Sequence, residues 1–259
     1  MYSKFRDLKK YTGSDDVLQI EALNWNGEYL DEKIPGFTTL NVEGRENFSR
    51  TINAPKMVGD GSLYLNSRFE AKVMTVSFQL LAGSGTELQD RFDRLKNWLY
   101  QPQKKFFFAD ETNYYYIGTV SKVENTKAGQ LNIIGTIEIT CSDPYKHGKA
   151  KTVTNQDISD SEIQRPLVPN KITFAPTNDM AKLNLTTSDN MKIIVNRGLP
   201  AGQKVTIDFK NLTIKYGSTS VLIDLDLTSN LGDFAIQNGT QIRLGYAGDF
   251  SIEYEVTQI

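Results

Sequence analysis

The chain has 259 residues, a single cysteine, a single histidine and a formal net charge of −2. That length fits one large domain or two ordinary ones and needs no staple, and a lone Cys141 rules out an intramolecular disulfide framework. Charge is balanced in both halves, with 17 basic and 19 acidic side chains over residues 1–144 and 12 of each over 145–259. Nothing concentrates the Lys and Arg that hold a phosphate backbone, which argues against nucleic-acid binding as the main function.

The chain opens Met1-Tyr2-Ser3-Lys4-Phe5-Arg6-Asp7, without an apolar signal core, and no later run approaches a membrane span. The expectation is a protein made in a cytoplasm and not inserted in a membrane. Residues 16–25 predict a strand that ends in the Asn26-Gly27 turn signal. Residues 37–53 read as strand then loop, Asp60-Gly61 as a turn, and Leu63-Tyr64-Leu65 as an apolar piece after it.

Residues 72–81 form the clearest strand of this half. Met74, Val76, Phe78 and Leu80 point one way, and Val73, Thr75, Ser77 and Gln79 the other. Gly83-Ser84-Gly85 closes it, and the one strong helix follows. Thr86 is its expected N-cap, with Gln89 three residues on. Leu88, Phe92, Leu95 and Leu99 make one stripe flanked by Trp98, Glu87–Arg91 and Asp90–Arg94 pair on the wet face, and Pro102 ends it. A helix this short needs a sheet to lie on.

Two aromatic runs come next, Phe106-Phe107-Phe108 and Tyr114-Tyr115-Tyr116, on either side of Asp110-Glu111-Thr112-Asn113. They read as the arms of a hairpin. Neighbouring residues of a strand face opposite ways, so one aromatic face meets the core and the other offers an oligomer interface or ordinary surface.

Residues 131–141 are a period-two strand, with Leu131, Ile133, Ile137, Ile139 and Cys141 on one face. In that register Cys141 reads as a small buried hydrophobe. The strand breaks at Asp143, Pro144, Tyr145 and Lys146, because proline cannot donate to a ladder. A polar segment follows, and the domain boundary is placed here: 1–148 and 149–259. Beyond it, short strands are expected at 170–174, 182–186, 191–195, 205–209, 212–216, 221–225, 242–244 and 250–256, with almost no helix signal. That spacing means a sandwich or jelly roll.

No chemistry of catalysis or cofactor binding appears. His147, the sole histidine, stands in the junction without cysteines nearby and reads as a solvated side chain. No phosphate loop, dinucleotide fingerprint or zincin motif is present. Asp224 and Asp226 share a strand face in this reading and could hold a calcium ion, but more simply are exposed. The expectation is no enzyme, no metal and no cofactor.

The strand that ends Cys-Ser-Asp-Pro-Tyr-Lys, with glycine shortly after, resembles the domain junction of the distal tail protein family of siphophages. Strands, one capped helix, then strands ending in that junction is similar to the family's ring-forming N-terminal domain. Pro-Ala-Gly-Gln-Lys-Val-Thr-Ile-Asp from Pro200, then Ser-Asn-Leu-Gly-Asp-Phe and Asn-Gly-Thr-Gln-Ile, resemble its C-terminal galectin-like domain. The resemblance implies a mainly β chain: a β-sandwich or barrel-like domain with one α-helix, then a galectin-like β-sandwich. It also implies a structural virion protein at the phage tail tip, six copies in a ring with a channel for DNA. The major tail tube protein would lie on one side, and a tail-associated lysin, tail fibre or receptor-binding protein on the other. Sugar binding by the second sandwich is the alternative reading, and it rests on fold analogy; Tyr216, Tyr246 and Tyr254 are the only large platform residues there besides phenylalanine.

Overall fold

The computed structural model describes residues 18–125 and 131–259. The expected start of the first strand, at residues 16 and 17, lies outside them. Two compact units are present, one reaching to Lys146 and the other running from His147 to Gln258.

The first unit holds β1 (Leu23–Trp25), β2 (Glu28–Tyr29), the short α1 (Leu30–Lys33), β3 (Phe37–Glu43), β4 (Arg50–Asn53), β5 (Asn66–Phe69), β6 (Lys72–Leu81), α2 (Gly85–Leu99), β7 (Lys104–Phe108), β8 (Tyr114–Asn125) and β9 (Asn132–Cys141). Antiparallel pairing runs in the order β2-β1-β7-β8-β9-β6-β3. The twelve-residue β8 serves two neighbours: Tyr116 to Gly118 pair with β7, and Thr119 to Asn125 with β9, with a register slip between Val120 and Lys122. A slip of this kind bends a strand and raises its twist, so the sheet curls. Its two ends meet through a side chain, the Leu23 N–H donating to Thr39 Oγ1 at 3.3 Å.

The alternation read over 72–81 is the inside of that curl. Met74, Val76, Phe78 and Leu80 are fully buried, and Ile137, Ile139 and Cys141 of β9 face them. Leu131 is half exposed, so the buried face of β9 begins at Ile133. Burial raises the Cys141 thiol to about 12, which keeps it protonated and unreactive. The helix α2 lies on this sheet through Leu95 and Leu99, both buried, with Leu88, Phe92 and Trp98 partly buried beside them. Fully burying two leucines is worth about 3–6 kcal/mol as an upper bound, far more than an isolated four-turn helix has of its own.

The N-cap differs from the sequence reading. Ser84, not Thr86, holds the extended backbone of the cap, and its Oγ accepts from Glu87 N at 3.2 Å. The Glu87 carboxylate reaches back to the Gly83 N–H at 2.6 Å. The capping box is therefore Ser84-x-x-Glu87, two residues earlier, because glycine on either side of Ser84 lets the chain turn into the helix there. Ser84→Ala should cost about 1 kcal/mol in urea unfolding, while Thr86→Ala should stay within about 0.5 kcal/mol. Equal losses at both positions would place the cap wrongly.

Thr39 also ties α1 to the sheet. Its N–H and hydroxyl both donate to Asp31, at 2.8 and 2.7 Å. Burial holds the Asp31 carboxyl above its ordinary range in spite of those hydrogen bonds. A carboxyl raised on folding gives stability that is present at acid pH and lost as pH rises through the folded value. Thr39→Val removes one donor and leaves the charge less well solvated, so its destabilisation should be larger at pH 7 than at pH 4. Denaturant midpoints at the two pH values check this; an equal loss at both would mean that Asp31 is not held by Thr39.

The second unit contains most of β10 (Lys146–Val153), then β11 (Lys171–Pro176), β12 (Leu183–Thr187), β13 (Lys192–Val195), β14 (Val205–Asp208), β15 (Thr213–Tyr216), β16 (Thr219–Ser220), β17 (Ile242–Leu244) and β18 (Gly248–Gln258). One sheet runs β16-β15-β14-β11-β18 and the other β13-β12-β17. Their inner faces share one core: Ile172, Phe174, Val205, Ile207, Ile214, Ile252 and Tyr254 from the first, with Leu183, Leu185, Ile193, Val195 and Ile242 from the second. Two facing antiparallel sheets over one core make a β-sandwich.

The strand expected over 221–225 does not form. Only Val221 is buried; Leu222–Asp224 is a single 3-10 turn that leaves Ile223 92% exposed. The segment instead covers the open edge of β13, Asn196 N donating to Asp224 O and Asp226 N to Ile194 O. Edge cover of this kind protects a strand that has no further partner in its sheet.

Candidate assembly surface

Between β3 and β6 the chain leaves the first unit's sheet and returns to it as a separate two-stranded ribbon. Gly44, at φ +90°, starts the departure; a Cβ there would sit 2.4 Å from Val73 O, so only glycine fits. β4 pairs with β5 from Arg50↔Phe69 to Asn53↔Asn66. Beyond them Leu65 N donates to Asn53 O, Leu63 N to Pro55 O and Met57 N to Gly61 O, which carries the ribbon to a tip at Gly59 and Asp60. At strand spacing its eight-residue legs reach about 25 Å.

This arm has no core of its own. Phe48 is 63% exposed, and Ile52, Met57, Leu63, Tyr64 and Leu65 are each more than half exposed, with Val58 fully so at the tip. A lone two-stranded ribbon is marginal in water, and an apolar cluster of this extent on the surface marks a contact site. The run Leu63-Tyr64-Leu65 was readable only as an apolar piece. The usable signal was Met57-Val58 beside Gly59-Asp60-Gly61, apolar side chains at a turn where no core can cover them.

The root of the arm is held by charge. The Arg45 guanidinium, 11% exposed, stands 2.9 Å from Asp110 and 3.4 Å from Glu21 and Glu111, with its centre 4.7 Å from the Phe108 ring centroid. Lys72 takes the first inward position of β6 and is buried; its Nζ donates to Arg45 O at 2.9 Å. Burial pulls the Lys72 ammonium below its ordinary value. Lys146 pairs with Glu111 and lies 4.9 Å from the Tyr114 ring centroid. Arm root, β7–β8 turn and junction lysine thus form one network.

The aromatic hairpin divides by face. Phe106, Phe108 and Tyr116 are core residues: Phe106 stacks on Trp25 at 5.5 Å and on Tyr116 at 5.4 Å. These three are not available as surface, because they are the inward residues of β7 and β8 in register. Burial, with Glu111 beside it, pushes the Tyr116 phenol well up. Phe107 and Tyr115 are half-buried on the other face, Phe107 edge-on to Tyr29 at 6.0 Å and Tyr115 beneath the Lys105 ammonium at 4.1 Å, while Tyr114, two residues before Tyr116, shares its face and lies against Lys146.

The junction residues sit at the root of the arm. Asp143 Oδ1 accepts from Tyr145 N at 3.1 Å, and the Tyr145 ring meets Phe69 edge-on at 5.9 Å. Pro144 and Tyr145, with Arg50, Ser67, Arg68 and Phe69, line a recess of about 460 Å³.

Other expected site residues are held by their own surroundings. His147 is not solvated: its side chain is 15% exposed, with Nδ1 3.7 Å from Glu255 Oε2. Asp224 pairs with Arg197 at 3.2 Å, and Asp226 accepts from Thr228 and Asn196, which draws its carboxyl down to about 2. No group of three metal-ligating side chains occurs among the described residues. Of the second unit's tyrosines, Tyr254 is buried and donates to Asp160, Tyr216 donates to Pro200 O, and Tyr246 accepts from Ala181 N. No observation favours a sugar platform on them.

Two families match this chain: "Phage tail protein RIFT-related domain" over residues 26–142, and "Siphovirus-type tail component, C-terminal domain" over residues 166–257. The fold is similar to the crystal structure of the Dit protein of phage SPP1, which its description calls a paradigm of the hub adsorption apparatus in phages infecting Gram-positive hosts. The TM-score is 0.76 at 16% identity, over 93% of this chain and all of that one. Chains of the phage p2 baseplate in its activated conformation, with calcium or strontium, align at TM-score 0.48 and 10% identity over 86% and 85% of this chain and 91% of theirs. No curated protein matches by sequence.

Proposed function

Because the chain belongs to the distal tail protein family of siphophages, as a structural component of the phage tail, we propose that six copies close into a ring between the tail tube and the host-adsorption apparatus. The units are two domains, and the boundary expected at 148 falls two residues beyond the division between Lys146 and His147. The first forms the ring and the second, a galectin-like sandwich, faces outward toward a lysin, fibre or receptor-binding protein. The ring leaves a channel for DNA, and a chain with balanced charge does not hold the duplex passing through it.

The observation that carries this is the apolar arm. Cyclic rings use heterologous contacts, in which a projection of one copy meets a different surface of the next. An arm of about 25 Å with seven exposed apolar residues suits that role, and Phe107 and Tyr115 offer a second patch on the same unit. Negative-stain imaging of the purified chain tests the reading. Rings with a central opening support it, and uniformly small single particles at micromolar concentration oppose it.

A further inference from the structure

We propose that the recess at the root of the arm receives the arm tip of a second copy, with the Asp60 carboxylate meeting Arg50. This rests on the ring reading above and names its contact. The recess is cationic and aromatic: Arg50 lies 4.1 Å from the Phe69 ring centroid, and Tyr145 closes the far wall with Pro144. Among the described residues the Arg50 guanidinium donates no hydrogen bond and joins no ion pair, while Arg68, paired with Thr51, belongs to the opposite face of the ribbon. The nearest acid on that ribbon, Glu70, is bound by the Ser49 and Thr51 hydroxyls and sits beside Arg68. Glu70 leaves Arg50 without an acidic partner.

The tip is complementary in both respects. Asp60 is exposed and has no partner among the described residues. Met57 and Val58 beside it are bare apolar side chains. Seated in the recess, they would cover Phe69 and the neighbouring Phe48, 5.8 Å apart edge-on, while the carboxylate meets the Arg50 guanidinium. An Arg–carboxylate pair formed out of water is directional and strong. The ribbon cannot bend its tip back to its own root, so the occupant is another copy. One contact then buries the arm from tip to root around the ring.

The test uses the whole chain and measures oligomer size against concentration by light scattering. Asp60→Arg sits in an exposed turn and should keep the far-ultraviolet spectrum unchanged while raising the half-assembly concentration at least about tenfold. Arg50→Glu should do the same. Mixing the two defective proteins should restore assembly, because wild-type and charge-reversed contacts then alternate around the ring. Arg50→Gln, which removes the charge without reversing it, should weaken assembly if Arg50→Glu proves misfolded. Assembly of Asp60→Arg at the wild-type concentration, or no rescue on mixing, overturns the tip contact and leaves the ring reading standing. A wild-type chain that stays monomeric at every concentration overturns both.

Discussion

Replacing residues 50–69 by an Asn-Gly turn should leave the first unit folded and abolish its assembly. The splice is geometrically mild, because Ser49 O and Glu70 N are already hydrogen-bonded at 3.1 Å across the root of the ribbon. The core of the unit runs through Trp25, Phe78, Leu95, Phe106 and Ile137 and takes nothing from the arm. Thermal midpoints of the trimmed and intact chains should therefore agree closely at a concentration where both are monomeric. A handful of buried apolar side chains dominates most protein contacts, so losing six of the arm's seven should shift half-assembly by at least about a hundredfold, or about 2.7 kcal/mol. A trimmed chain that still assembles at the wild-type concentration would move the contact to Phe107 and Tyr115.

Phe106→Ala should have the opposite profile, a severe loss of stability that acts on assembly only through folding. Phe106 is fully buried and stacks between Trp25 and Tyr116, with Phe108 edge-on at 5.9 Å. Gly118 packs so close beneath it that an added Cβ would lie 2.7 Å from the ring. A cavity at that point cannot close without moving β8, so a cost of about 3–5 kcal/mol is expected in urea unfolding. Phe107→Ala, one residue along and half-buried, should cost under about 1.5 kcal/mol. Similar losses at the two positions would mean the register of β7 is wrong.

Strong periodicity made much of the fold legible. The alternation from Met74 to Leu80, the stripe from Leu88 to Leu99 and the final strand through Tyr254 all face the cores as the pattern required. What failed was local competition. Ser84 and Thr86 are both good caps with a Glu or Gln three residues on, and the flanking glycines decided between them. Val221-Leu222-Ile223 has strand composition, yet Ile223 faces water because the segment is needed to close the β13 edge. Candidate contact residues were legible as a class and not by face. Adjacent aromatics had to alternate, but only the pairing of Phe106 with Tyr116 assigns them to the core.

The arm was the least legible part. Its residues show neither a clean period of two nor a polar composition, because the ribbon has no core of its own to impose one. The same holds for the network at its root. Arg45, Lys72, Asp110, Glu111 and Lys146 are scattered over a hundred residues of sequence, and only the fold makes them neighbours.

Native mass spectrometry of the intact chain across micromolar concentrations tests the central claim most directly. The account predicts a dominant species of six copies of the 29.2 kDa chain, giving way to monomer on dilution and in the arm-trimmed variant. A monomer or open-ended ladder of sizes throughout, with the chain fully folded, would contradict it.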